Sequence, residues 1–276
     1  EVDAFARDSA ALNLDDMSVS EAKAMVPIID ENIVTQAAYH DGAYDIDTDR
    51  LIQNFAREVT RRDGQIVGQA DVTRITRTRL GWEVRTGKNE IYGAKMLVNA
   101  AGAWADEIAT MAGLTPVGLT PKRRTALTVA PPEGMVPDRW PMVVDIDEQF
   151  YLKADAGKLL ISPADATPSA PCDAQPEELD VAICIDRIET AFDLSLRRIE
   201  SRWAGLRSFT PDRLPIASFD SHARDFFWLA GQGGFGLQTS PAMALAAEAL
   251  VTRSAWPAEL HAVNVRPEDL SLMRLN

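Results

Sequence analysis

With 276 residues, 46% of them hydrophobic and 25% charged, the chain is expected to be a globular protein with a sizeable core and two domains. Its formal net charge of −13 argues against nucleic acid as a partner, while a locally basic pocket for a small anionic substrate remains compatible with it. No apolar run approaches the ~18 residues of a membrane-spanning helix.

The chain opens on Glu1, with no Met before it and no charged-then-apolar leader, so it is expected to be a fragment or a processed product. Asp47 is placed to cap a helix in which Leu51, Ile52, Phe55 and Val59 share one face, with Asp63-Gly64 as its stop. Short β-segments follow at Ile66-Val67, Val72 to Thr78, Trp82 to Thr86 and Glu90 to Tyr92, spaced by Gly81 and Gly87 as in a small antiparallel meander. Lys95 to Asn99 reads as a buried strand. Ala100-Ala101-Gly102 turns it into a helix from Ala103 to about Ala112, closed by Gly113.

From Pro116 to Pro141 the texture changes, with prolines separating strand-like pieces at Ala126 to Val129, Met142 to Asp145, Phe150 to Lys153 and Leu159 to Ser162. Lys122-Arg123-Arg124 reads as a solvated basic turn, with neutralisation of an anionic substrate or partner as the alternative. Val181, Ile185, Ile188 and Phe192 recur at helical spacing. Cys172 and Cys184, the only cysteines, have neither C-x-x-C nor zinc spacing, so no disulfide framework is expected and a reducing, cytoplasmic setting fits. His40, His222 and His261 show no metal-ligand or triad spacing.

The most informative stretch is FFWLAGQGGFGLQTSP, residues 226 to 241. Phe226 to Ala230 forms an apolar strand, Gly231, Gly233 and Gly236 satisfy G-x-G-x-x-G, and Pro241 to Val251 supplies an apolar-faced helix. Glycines let backbone approach a ligand, and a helix start offers N–H groups and partial positive charge to a phosphate or an electron-rich ring. A full dinucleotide fingerprint continues into a parallel strand ending in an acidic residue. Here Trp256-Pro257 interrupts, and only the short His261 to Val265 run follows. This turn is therefore expected to touch a cofactor without being its main cradle; a tight packing turn is the alternative reading of the glycines alone.

Four segments in order, YDIDTDRLIQNFAREV (44 to 59), LVNAAGAWADEIATMAGL (97 to 114), WAGLRSFTPDRLPI (203 to 216) and FFWLAGQGGFGLQTSP, resemble the D-amino-acid oxidase-like superfamily of FAD-dependent oxidoreductases, on the branch of glycine oxidase, sarcosine oxidase and D-amino-acid dehydrogenases. The resemblance implies an α/β to α+β fold: the remainder of a Rossmann-like FAD domain (46–115 and 205–256) interleaved with a mainly antiparallel substrate domain (1–45 and 116–204), followed by a tail (257–276). Family members begin with a Gly-rich βαβ unit that seats the FAD pyrophosphate, and nothing in residues 1 to 60 supplies one. Such a chain alone is expected to bind FAD weakly or not at all, and its open sheet edge would invite pairing with another copy.

Position by position, the resemblance implies that Val72 meets the adenine end of FAD, that Ala101, Gly102 and Trp104 lie along the ADP and ribityl path, and that Gly231, Gly233, Gly234, Phe235, Gly236, Leu237 and Gln238 edge the flavin. Arg207 matches the arginine that grips the substrate carboxylate, and Tyr151 falls where glycine oxidase offers a hydroxyl to the same group. Gly234 stands where glycine oxidase has a second arginine. The implied activity is oxidation of the C–N bond of a small amino-acid-like amine, such as a D-amino acid, glycine or sarcosine. The alternatives are a 2-hydroxy-acid or glycerol-3-phosphate dehydrogenase and a non-catalytic companion domain of the same fold.

Overall fold

The computed structural model describes residues 14–275; the part of the expected substrate domain at residues 1–13 lies outside them. The chain divides into two compact units. The first holds the chain up to Tyr44, Arg123–Thr167 and Asp173–Leu206, and the second holds Asp45–Lys122, Pro168–Cys172 and the chain from Arg207 onward.

The first unit is built on an antiparallel sheet in which Thr120–Val129, Lys158–Ser162, Tyr151–Asp155 and Val143–Val144 follow one another, while Ile199–Phe209 also pairs with Thr120–Val129. Leu159 lies opposite Val129, and Ser162 opposite Tyr151. The helix Glu178–Ala191 contributes Val181, Cys184 and Ile188 to a core shared with Leu127, Val129, Leu152, Leu159 and Ile161. Phe192, expected as the last apolar position of that helix, is its extended C-cap and is still buried. Both cysteines are free; burial pushes the Cys184 thiol up to about 12, with the nearby Asp165 adding to the rise.

The basic run at 122–124 is not a turn. It lies inside the Thr120–Val129 strand, whose alternation sends Arg123 to the same side as the buried Thr125 and Leu127. The Arg123 guanidinium pairs with Asp180 at 2.8 Å and with Glu177, and reaches Asp165 at 4.0 Å. A buried cation is tolerable only with such partners. The strand's period, rather than its charge, decided where this arginine sits.

In the second unit, Val72–Thr78, Gly81–Thr86 and Ile91–Ala94 form the antiparallel meander. Ile66 and Val67 stay outside it as exposed coil. A separate three-stranded sheet runs in the order Ile216–Phe219, Phe226–Ala230, Leu97–Asn99. The strand expected over 95 to 99 covers only Leu97–Asn99, and Val98 on it is half-exposed. Phe226, Phe227 and Trp228 are fully buried, and edge-to-face contacts of 5.7 and 5.4 Å link Trp82 to Phe226 and Phe226 to Trp228. Asp220 accepts the Trp228 indole N–H at 3.1 Å.

The helix Thr48–Arg61 starts on Asp47 as expected, its side chain accepting from the Arg50 amide at 2.9 Å. Its stop differs in detail: Asp63 takes the left-handed conformation (φ 60), and Gly64 donates to the Val59 carbonyl at 2.9 Å. None of its residues is buried, and Ile52, Phe55 and Val59 remain exposed. The stretch 257–276, expected as a tail, packs into the unit: Leu260 and Leu270 are buried against a cluster containing Ala217, Phe227, Met243 and Ala246. Among the described residues no helix is long and apolar enough to cross a membrane, and no group of three or more His, Cys, Asp or Glu could hold a metal ion.

Candidate functional site

Two strand–glycine–helix units of the second unit converge because their strands run side by side in the same direction. Leu97 lies opposite Phe226 and Asn99 opposite Trp228 in a parallel pair. Each strand is followed by a glycine turn, so both turns leave the sheet at its carboxyl edge, where open α/β sheets bind ligands.

The first turn is pinned by Asn99. Buried at 2% exposure, it donates from Nδ2 to the Ala105 carbonyl at 2.8 Å and accepts from the Ala101 amide at 3.4 Å. Gly102 has φ +56, and a Cβ placed there would meet no atom within 4 Å. Ala101 and Gly102 thus bound open space, and Trp104 beside them is 42% exposed. The helix Ala105–Met111 then presents Asp106, whose carboxylate accepts the amides of Val117 (3.0 Å), Gly118 (3.0 Å) and Leu119 (2.8 Å). Asp106→Ala would leave three donors without this acceptor and is expected to cost about 2 kcal/mol in urea unfolding, whereas an unchanged midpoint would mean that water replaces the carboxylate freely.

The second turn is constrained by contact. Gly231 has φ +76, and a Cβ there would lie 2.7 Å from Thr210 Cγ2. At Gly233 (φ +55) it would lie 2.7 Å from Phe209 Cε1, and at Gly234 3.0 Å from Arg207 Nη1. The Gly233 amide donates to the Ser208 carbonyl at 2.9 Å, which ties the turn to the Ile199–Phe209 strand. Gly236 is different. Its φ is not positive, and its nearest contact would be Gln232 Cβ at 3.3 Å. Beyond it come two further turns, closed by Thr239 N–H to the Phe235 carbonyl and Ser240 N–H to the Leu237 carbonyl, before the helix Ser240–Thr252 begins. The amides of Gly234, Gly236, Leu237 and Gln238 donate to no carbonyl among the described residues. Phe235 and Leu237 are exposed, at 59% and 43%.

Arg207 and Phe209 stand two apart on one strand, hence on one face of it. Arg207 is half-buried and forms no ion pair among the described residues. Strand alternation alone could have pointed to Phe209 from Arg207. Lys122 Nζ lies 5.2 Å and the Arg213 guanidinium carbon 5.8 Å from the Phe209 ring centroid, and no sequence signal predicted that either would sit there. The 210–214 turn is held by the Thr210 hydroxyl, whose one proton is shared between the Leu214 carbonyl at 2.7 Å and Asp212 Oδ1 at 2.9 Å, and by Arg274 Nε donating to Asp212 at 2.6 Å. Burial alone would raise the Asp212 pKa, but the Arg274 guanidinium, the Leu214 amide and the Thr210 hydroxyl together hold it below the ordinary carboxylate value.

Val72 and Tyr151 belong to other strands. Val72 opens the meander opposite Thr86, next to a bulge at Val72/Arg74, and is half-buried. Tyr151 belongs to the first unit; its strand pairs it with Ser162 and Val144, and its hydroxyl makes no hydrogen bond among the described residues. A cavity of about 460 Å³ lined by His261, Asn264, Val265, Arg266 and Asp269 includes no residue of either glycine turn.

Comparison with known proteins follows this geometry. Human sarcosine dehydrogenase, a mitochondrial protein, is 26% identical over 238 residues, which is 80% of this chain and 25% of that protein. Mitochondrial dimethylglycine dehydrogenase of Mus musculus is 25% identical over 232 residues, 77% of this chain and 26% of that protein. The chain thus spans about a quarter of the length of these curated relatives. Among solved structures, glycine oxidase from Geobacillus kaustophilus superposes with a TM-score of 0.79 over 95% of this chain and 67% of that one, at 23% identity, which establishes the same mixed α/β fold with antiparallel sheets. Residues 1–250 match the DAO family, FAD dependent oxidoreductase. The chain therefore belongs to the DAO family of FAD-dependent oxidoreductases.

Proposed function

We propose that this chain serves in the oxidation of a small amine that carries a carboxylate, with FAD as the cofactor and Arg207 as the carboxylate anchor. The observation that carries this reading is the Arg207 guanidinium: it has no carboxylate partner among the described residues, and it lies against Gly234, within the glycine turn at the carboxyl edge of the sheet. A planar guanidinium with free N–H groups suits bidentate recognition of a carboxylate. A side chain larger than glycine at 234 would crowd it.

The residues present fit FAD. Gly102 faces open space in a left-handed conformation, so backbone and ligand can approach closely there. The unengaged amides of Gly234, Gly236, Leu237 and Gln238 supply donors for an electron-rich ring, with the exposed Phe235 and Leu237 as apolar neighbours. Ala101, Gly102 and Trp104 would hold the nucleotide side, Val72 the adenine end, and Gly231 with Gly233 to Gln238 the ring edge. When bound, FAD supplies a two-electron acceptor. The protein's own part is positional: Arg207 fixes the carboxylate, and with it the orientation of the adjacent carbon and nitrogen, so no side-chain base is required.

The test is anaerobic mixing of the FAD-supplied protein with sarcosine, glycine and D-alanine, against lactate, glycerol 3-phosphate and dimethylamine. Loss of flavin absorbance with the carboxylated amines and not with dimethylamine supports the reading. Bleaching by lactate or glycerol 3-phosphate alone moves the chain to hydroxyl oxidation. Flavin binding without bleaching by any of them points to a companion domain.

A further inference from the structure

Arg207 is not the only cation in its neighbourhood without a carboxylate. Lys122 and Arg213 both lie against the Phe209 ring, at 5.2 and 5.8 Å, and neither forms an ion pair among the described residues. Three cations without a carboxylate partner among the described residues thus lie around one short strand segment, in a chain that carries 41 acidic against 28 basic side chains. Contact with an aromatic face holds a cation in place while leaving most of its N–H donors free. Phe209 is itself fixed by Gly233, which has no room for a Cβ beside the ring.

Arg207 and Phe209 project from the same face of the strand, about 6.7 Å apart by the rise of two strand residues. The anchor for one anionic group therefore has a second set of positive charges one side chain away. From this we infer that the site takes a doubly anionic amine: Arg207 binds one carboxylate, and Lys122 with Arg213 binds a second acidic group over the Phe209 ring. This inference rests on the reading of Arg207 as a carboxylate anchor and narrows it to amines with two acidic groups. Arg213 itself takes the left-handed conformation (φ 66) in a turn held by the Asp212–Arg274 pair, which fixes where its backbone stands beside Phe209.

Calorimetric titration of the FAD-supplied protein with sarcosine and with iminodiacetate tests it, since these are secondary amines that differ by one carboxylate. Iminodiacetate is expected to bind at least about tenfold more tightly than sarcosine, the equivalent of one added charge-assisted contact. Lys122→Gln and Arg213→Gln should each shrink that ratio, Lys122→Arg should keep it, and Arg207→Gln should weaken both ligands. Equal affinities, or a preference that survives both glutamine variants, overturn the second-anion subsite while leaving the anchor reading intact. In protein shown by its absorbance to carry bound FAD, failure of both ligands to bind, or binding indifferent to Arg207→Gln, overturns the anchor reading and this inference with it. Thermal unfolding of each variant separates loss of the subsite from loss of the fold.

Discussion

Replacing Arg207 by lysine in the FAD-supplied protein is expected to lower kcat/KM for a carboxylate-bearing amine by about 100-fold, roughly 2.7 kcal/mol of transition-state binding. Most of the loss should appear in KM, because lysine keeps the charge but cannot reproduce the two-pronged geometry of a guanidinium. Flavin content should change far less. Arg207 has no ion-pair or hydrogen-bond partner among the described residues, so its replacement strands no buried acid. Steady-state kinetics together with the flavin-to-protein ratio of the purified variant check this. Loss of flavin at an unchanged KM would make Arg207 a support for the turn and not a substrate anchor.

Gly233→Val is expected to destabilise the second unit by about 4 kcal/mol, whereas Gly236→Ala should cost less than about 1 kcal/mol. At 233 a β-branched residue would have to adopt φ +55 and place its Cβ 2.7 Å from a ring carbon of Phe209. That ring belongs to a strand residue with Lys122 and Arg213 within 5.8 Å of its centroid, and it cannot retreat like the end of a flexible chain. At 236 the backbone is not left-handed, and the nearest contact, 3.3 Å, is to the Gln232 side chain. Chemical unfolding of the two variants decides the matter. Equal costs would mean that the motif glycines are interchangeable, against the geometry.

These two cases separate what could be read locally from what could not. Phe226–Ala230 and Val72–Thr78 form strands over the residues expected, because an apolar run bounded by turn formers carries its period within itself. The Asp47 cap was legible too, as was the helical period of Val181, Ile185 and Ile188, although Phe192, expected as the last position of that period, is the extended C-cap. The four ordered motifs were sufficient for the family. Which glycines of the G-x-G-x-x-G are required was not, because the answer lies in Thr210 and Phe209, on a strand and turn well before the motif.

The sequence alone therefore determined the alternation of strands, glycine turns and helices, and the family with its FAD dependence. All of these depend on residue type and short spacing. Tertiary structure alone decided that Arg123 is a buried partner of Asp180 and not part of a basic turn, since strand alternation and a helix far along the chain set its surroundings. It also decided that Val98 and the Thr48–Arg61 apolar face are exposed, because burial depends on which element arrives opposite. The cations around Phe209 belong to the same class. Lys122, Arg207 and Arg213 are ordinary charges in the sequence; Arg207 and Arg213 are near Phe209 along the chain, and only the fold brings Lys122, from a distant strand, to the same ring.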